Sequence, residues 1–371
     1  MGAVNGTWTT EAEDVTWLRV DVALASAARR EAAALGRRIG MSEARVSDLE
    51  LAVTEAATNL RQHARDGAIA LRLVRSRTQV AVEFLALDNG PGIDDLTGAL
   101  TDGVSTAGTL GVGLGAIARL ADGFDIHSLP GRGTALTARF AASAGAVGEG
   151  SDAGERGGIG DAAVPAPRTG GLTRPISGER VCGDTWAARE YALPDARDGG
   201  AGRPGDGVVV MMCDGLGHGP MAARVGERAR QVFREDTASE PEKVLRALHS
   251  GLRGTRGAAV AVARFDPATR RVRLCGAGNV SAFVLTATTR HALLSMPGIV
   301  GHQLPALRTF EAELPPGAVL VLHSDGLSDR WVPHDYPGLL TREPTLIAGQ
   351  LLWQAGIRRD DAGVVVVKAG P

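Results

Sequence analysis

The sequence predicts a two-domain α/β (α+β) protein, and three observations carry that expectation. At 371 residues the chain exceeds what a single hydrophobic core of ordinary size accommodates. A stretch rich in Gly, Ala and Pro, residues 141–171, interrupts it with neither helical nor strand periodicity. The periodic segments differ on either side of that break, with helices and strands mixed before it and short β-branched apolar runs dominating after it.

In the first module (residues 1–140) a strand is predicted at TWLRVDVA, followed by helices over 25–39 and 43–64. Strands follow at 68–75 and 79–87, then a Gly-rich loop, a helix near 113–121 and a strand over 134–140. Residues 141–171 bury too little apolar surface to offset their ordering entropy, so they read as a flexible linker. The second module (residues 172–371) carries apolar runs at 206–213, 258–265, 271–277, 281–287, 318–324 and 363–369. Helices are predicted near 220–234, 241–253 and 344–354. Continuous runs of β-branched residues read as buried strands, which predicts a two-layer β core flanked by helices.

Composition excludes several partners. The formal net charge of −2 offers no attraction to nucleic acid or an anionic membrane, and 4% aromatics leave little for base stacking. Three widely spaced cysteines (Cys182, Cys213, Cys275) suit neither a disulfide framework nor a CxxC metal site, so a reducing cytoplasm is expected. The first residues lack the basic and apolar regions of a signal peptide, and runs such as VVVMMC are too short to span a bilayer. A soluble, cytoplasmic protein is expected.

Within the helix over 43–64, Glu55 and Asn59 are spaced i, i+4 and share one face, while Val46, Leu49, Val53 and Leu60 lie on the other. A carboxylate beside an amide oxygen suits a general base next to a hard divalent cation. The strand over 79–87 ends in LDNGPGIDD, which sets Asp88 at a strand end with Gly90 and Gly92 after it. Such an Asp can accept a hydrogen bond from an exocyclic amine such as adenine's, and the glycines admit backbone close to a ligand. Gly108, Gly111, Gly113 and Gly115 lead into a helix, where free N–H groups and the helix dipole favour phosphate. Thr134, in GRGT, offers a hydroxyl from the closing strand or serves simply as a β-former.

In this order TEAATN, DNGPG, STAGTLGVGLG and GRGT resemble the boxes of the GHKL (Bergerat-fold) ATPases, most of all the stressosome-type serine kinases related to anti-sigma-factor kinases. The resemblance covers about residues 15–140. It implies a GHKL/Bergerat α/β sandwich binding ATP with Mg²⁺, with Glu55 as catalytic base, Asn59 as Mg²⁺ ligand, Asp88 on adenine and 108–115 as the ATP lid. Thr109 departs from the Gly expected there, and no phospho-accepting His box precedes the module.

The second module sets acidic residues in four distinctive places. Asp184 follows Gly183 in VCGDTW, and Asp214 and Asp325 end the apolar strands of VVVMMCDGLGHG and VLVLHSDGLSDRW. Asp360 and Asp361 stand immediately before the last strand. Antiparallel strands bring such ends to one edge, and carboxylates without His or Cys suit Mg²⁺ or Mn²⁺. Two ions about 4 Å apart can share and acidify a water for attack on phosphorus. Singly, each DG also reads as a turn. His218, Asn279, Trp186 and Trp331 read first as structural, and Cys182 and Cys213 as small buried hydrophobes.

GDTW, CDGLGHG, GAGNVSAF, PGIVG, HSDGLSDRW and RRDDAGVVVV are similar, in order, to the PPM (PP2C-like) phosphatases of the stage II sporulation protein E type, over about residues 171–369. This implies a PPM-type β-sandwich flanked by helices, binding two Mn²⁺ or Mg²⁺ through Asp184, Asp214, the carbonyl of Gly215, Asp325 and Asp360. Together the two resemblances imply a kinase and phosphatase acting on a STAS-domain anti-sigma antagonist or stressosome protein. The alternative is a phosphatase whose ATP-binding module sequesters a partner such as a sigma factor, or senses ATP, with kinase activity secondary or absent.

Overall fold

The computed structural model describes residues 9–11, 15–75, 80–100, 113–142, 168–191, 207–304, 306–357 and 359–370. In chain order the first elements are β1 (Thr9–Glu11), β2 (Thr16–Arg19), α1 (Leu24–Arg38), α2 (Glu43–His63), β3 (Ala68–Arg75), β4 (Val80–Leu87), α3 (Leu96–Leu100), α4 (Gly113–Leu120), β5 (Gly123–Leu129) and β6 (Gly133–Ala141). An antiparallel sheet of order β2-β3-β4-β6-β5 carries α1, α2 and α4 on one face. Ser42 caps α2 by accepting from the Arg45 amide at 3.3 Å. The apolar stripe Val46, Leu49, Val53, Leu60 of α2 is buried against the sheet and α1.

The second module contains β7 (Thr169–Arg174), β8 (Asp184–Tyr191), β9 (Gly207–Gly215), α5 (Pro220–Glu235), α6 (Pro241–Gly251), β10 (Ala258–Asp266), β11 (Arg271–Ala277), β12 (Ser281–Leu285), β13 (Arg290–Leu293), β14 (Thr309–Glu313), β15 (Val319–His323), α7 (Pro344–Ala355) and β16 (Ala362–Lys368). Two antiparallel sheets, β1-β8-β9-β10-β11-β14 and β13-β12-β15-β16-β7, face each other. Val208, Val210 and Met212 of β9 enter the core between the sheets, while Val209, Met211 and Cys213 meet α5 and α6. β16 divides likewise, with Val365 and Val367 inward and Val364 and Val366 toward α7. Burial on both faces is why these strands read as unbroken apolar runs.

Helix α7 is packed on both sides. Leu346, Ile347 and Leu351 share one core with Val364 and Val366 of the second module and with Leu85, Leu87 and Ala70 of the first. A helix buried nearly all round must be apolar nearly all round, and PTLIAGQLLWQA is. Polar ties frame the contact. Arg72 donates to Gly171 O at 2.6 Å, Arg139 pairs with Glu343 at 2.9 Å, and Trp17 Nε1 donates to Thr173 O at 3.0 Å. Trp17 also stacks on Trp353, with centroids 6.1 Å apart.

Two observations depart from the expected organisation. β7 begins at Thr169, inside the segment expected to be linker. Its glycines are packing residues, because a Cβ on Gly170 would lie 2.5 Å from Thr345 N and one on Gly171 2.6 Å from the Trp186 ring. β1 lies in the segment expected to open the first module, yet it pairs with β8 of the second, Thr9 opposite Arg189. The strands β5, β8, β13 and β14 were also not expected; each is short, polar or partly exposed, so its hydrophobic signal is weak. Among the described residues no helix is long and apolar enough to cross a membrane.

Candidate functional site

On the first module, Glu55 and Asn59 lie one turn apart on α2, both half-buried, with the core stripe turned away from them. Asp88 follows β4; its amide donates to Thr134 O at 2.9 Å, and its Oδ1 accepts from the Gly90 amide. Burial pushes the Asp88 carboxyl above its usual range, partly offset by the donors at Gly90 and Thr134. The loop is pressed against its neighbours. A Cβ on Gly90 would stand 2.8 Å from His63 O in the last turn of α2, and one on Gly133 (φ +94°) only 2.0 Å from Asp88 O. Glycine is therefore required where the 88–92 and 131–134 loops meet.

Gly92, at φ +73°, is constrained in the same way. Thr134 Oγ1 is 2.8 Å from Ser128 Oγ, which in turn accepts from Ile93 N at 2.8 Å. Gly113 and Gly115 open α4, whereas Gly108 and Gly111 lie outside the described residues. The half-buried carboxylate, the glycine-lined approach and the Glu55–Asn59 face fit a nucleotide with its cation.

On the second module the acidic residues gather at one edge of the paired sheets. Asp184 and Asp214 face each other across β8 and β9. Asp325 follows β15, and Asp360 and Asp361 precede β16, its partner. Burial, then the charge of Asp214, pushes the Asp184 carboxyl well above its usual range. Burial, then Asp325 and Asp360, pushes Asp214 up to about 7. Burial and Asp360 raise Asp325. So dense a set of partly buried carboxylates demands either protons or cations.

Asp184 Oδ2 is buried without a hydrogen-bond partner, an orphaned acceptor that a divalent ion would satisfy. Among the described residues no three such side chains are already gathered round one point. The donors nevertheless fit hard cations, all being oxygen. Gly215, whose carbonyl is the fifth candidate, has its Cβ position 2.8 Å from Ala222 O and 3.0 Å from Gly183 O, so backbone crowds this edge.

The acidic doublet divides its work. Asp361 accepts from the amides of Ile176 and Gly183, both at 2.7 Å, and is buried, whereas Asp360 is exposed. Three further residues support this edge, and in the sequence only Asn279 stands out, as a loop former. Asn279 Nδ2 donates to Asp325 Oδ2 at 2.6 Å. Ser324 hydrogen-bonds Asp184 and accepts from Gly363 N at 2.9 Å. Asp329 contacts His323 Nε2 at 3.1 Å, Ser281 Oγ at 3.2 Å and Arg290 at 3.3 Å, fixing the loop after Asp325. The NxS and DGLSD spacings held that signal, but its partners are far apart in sequence.

His218 is exposed, 3.5 Å from Glu179. Trp186 and Trp331 are buried in the core. The Cys182 and Cys213 thiols are pushed up by burial and by the nearby carboxylates, which makes them poor nucleophiles.

Comparison with known proteins matches a different family to each module. Residues 18–140 match the histidine kinase-like ATPase domain, and residues 204–368 match stage II sporulation protein E (SpoIIE). The serine/threonine-protein kinase RsbT of Bacillus subtilis (strain 168) is 34% identical over 112 residues, which are 30% of this chain and 84% of RsbT. The chain belongs to the histidine kinase-like ATPase family. Its ATPase-like module is an RsbT-type serine kinase homologue, and its second module is a SpoIIE-type, PP2C-like serine/threonine phosphatase domain.

Among solved structures, the PP2C domain of SpoIIE from Bacillus subtilis with a fragment of its regulatory domain is 14% identical, with TM-score 0.41, covering 94% of this chain and 95% of that one. RsbX in complex with magnesium is 20% identical, with TM-score 0.41, covering 53% of this chain and 92% of that one.

Proposed function

We propose that the protein is a bifunctional partner-switching regulator, which phosphorylates Ser or Thr on a STAS-domain protein and removes that phosphate again. The observation that carries the reading is the aspartate edge, where Asp184, Asp214, Asp325 and Asp360 come from separate strand ends and Asp184 keeps an unpaired buried oxygen. The 34% identity to RsbT supports the kinase half.

In the first module Glu55 would take the proton of the attacking hydroxyl, Asn59 would offer its amide oxygen to Mg²⁺, and Asp88 would accept from the adenine amine. Gly90, Gly92 and the glycines over 108–115 would let backbone close on the nucleotide, and Thr134 would support the base. Mg²⁺-ATP, when bound, supplies the phosphoryl group. The hydroxyl oxygen bonds to the γ-phosphorus as the bridging P–O bond breaks and ADP leaves.

In the second module Asp184, Asp214, the Gly215 carbonyl, Asp325 and Asp360 would hold two Mn²⁺ or Mg²⁺ ions. Such ions, when bound, lower the pKa of a shared water for in-line attack on a phosphoserine or phosphothreonine. Asn279 would orient Asp325, and Asp361 would brace the backbone at Ile176 and Gly183.

The test is incubation of the full chain with γ-labelled ATP and candidate STAS-domain proteins, alongside Asp214→Asn and Glu55→Ala. Glu55→Ala should abolish labelling, and Asp214→Asn should raise it above wild type. No rise with Asp214→Asn would sink the two-activity reading. In a second reading the first module senses ATP on behalf of the phosphatase, and the Gln354 contact with the Asp88 loop favours it. Glu55→Ala would then leave partner phosphorylation unchanged.

A further inference from the structure

The end of α7 touches both candidate sites. Gln354, in its last turn, reaches into the first module, where Nε2 donates to Asn89 Oδ1 at 2.8 Å and to Arg132 O at 2.7 Å. Asn89 stands beside Asp88, and Arg132 precedes Gly133 and Thr134, so one amide clips together the two loops that form the nucleotide side. The chain then runs directly into the metal side. Ser328 N donates to Ala355 O at 2.9 Å, Leu327 bridges Gly356, and Ile357 N donates to Gly326 O at 2.6 Å. Gly326, Leu327 and Ser328 are the residues immediately after Asp325.

The helix that carries these contacts at its end is held rigidly. It is buried against both modules, and a Cβ on Gly349 would lie 2.8 Å from Leu85 Cδ2. Closely packed elements transmit displacement rather than absorb it.

Resting on the proposed nucleotide and metal sites, we infer that Gln354 is a positioning residue for the nucleotide loop, and that segment 354–357 couples nucleotide binding to the order of the metal loop 325–328. Both acceptors of Gln354 are carbonyl oxygens, so the side chain acts only as a donor. Tightening the Asp88 and Thr134 loops round a nucleotide fixes Gln354. Fixing Gln354 holds the backbone that binds Gly326 and Ser328. Such coupling is reciprocal, so metal loading also tightens nucleotide binding.

The donor-only geometry gives a selective test in the Mg²⁺-saturated full chain. Gln354→Met keeps the length and stem but donates nothing, whereas Gln354→Lys restores N–H donors. A fluorescent ATP analogue should bind wild type and the Lys variant alike, and the Met variant about three- to tenfold more weakly, the value of one or two lost hydrogen bonds. Saturating analogue should also slow amide exchange at Ser328 and Ile357 several-fold in wild type and the Lys variant, but not in the Met variant. A packing role alone would predict the opposite ranking, with Met tolerated and Lys not.

Equal binding by wild type and the Met variant overturns the positioning role. Unchanged exchange at Ser328 and Ile357 in nucleotide-saturated wild type overturns the coupling, and needs no variant to fold. Failure of wild type to bind the analogue overturns the nucleotide-site reading itself and the coupling with it.

Discussion

Asp184 and Asp214 stand directly opposite each other on adjacent antiparallel strands, with Asp184 only 4% exposed. Two carboxylates so placed cannot both stay ionised at neutral pH without a cation, and the fold supplies two more, Asp325 and Asp360, within range of Asp214. Burial and charge repulsion at this edge give the molecule a definite pH behaviour.

Because the folded-state value for Asp214 is raised to about 7, the metal-free folded protein binds its proton more tightly than the unfolded chain does. The stabilisation is present at low pH and lost as pH rises through about 7. The thermal midpoint in chelator should therefore fall between about pH 5 and 8, Mn²⁺ or Mg²⁺ should restore it at pH 8, and Asp214→Asn should flatten the profile. A midpoint in chelator that rises over this range would contradict the assignment.

Asn279→Ala removes the donor that fixes Asp325 Oδ2. Supporting hydrogen bonds of this kind change metal affinity by about 10–100-fold when lost. Calorimetric titration of the variant with Mn²⁺ should show a loss of that order with little change in thermal stability in chelator.

Glu83, fully buried, lies between Arg72 at 2.6 Å and Arg139 at 3.1 Å, which also tie to Gly171 and Glu343 across the module contact. Burial alone would raise its pKa, but Arg72 and Arg139 outweigh it and hold the carboxyl below its usual range. That contribution is present above the unfolded value and lost as pH falls through the folded one. Glu83→Gln leaves the buried Arg72 guanidinium without a carboxylate partner, Arg139 keeping Glu343, and should cost about 3–5 kcal/mol in chemical denaturation. Glu83→Leu combined with Arg72→Leu should cost less than the single change.

Gly171→Val places a side chain against the Trp186 ring and Val364 O, both 2.6 Å from the new Cβ. Neither neighbour is the free end of a flexible chain, so the variant should lose about 3 kcal/mol or more in urea unfolding. A true linker glycine would tolerate the change.

Much of the fold was legible because its signals are local. The strands Ala68–Arg75 and Arg271–Ala277 have the bounds their apolar runs predict, and α2 its amphipathic stripe with Glu55 and Asn59 on the free face. The aspartates at strand ends were legible for the same reason, each sitting where a buried run meets a glycine turn. Asn279, Ser324 and Asp329 were not, because what matters about them is a partner tens of residues away.

The sequence by itself determined that two modules are present, which families they resemble, and that the strand ends of the second carry aspartates rather than His or Cys. Tertiary structure alone decided what lies between the modules. α7 is apolar nearly all round because two sheets cover it, and Gly170 and Gly171 look like linker composition but sit where α7 and Trp186 leave no room for a Cβ. Burial against a distant segment leaves no periodicity of its own, so the clip from Gln354 to the Asp88 loop, and from the next residues to the Asp325 loop, appears only once the chain is folded.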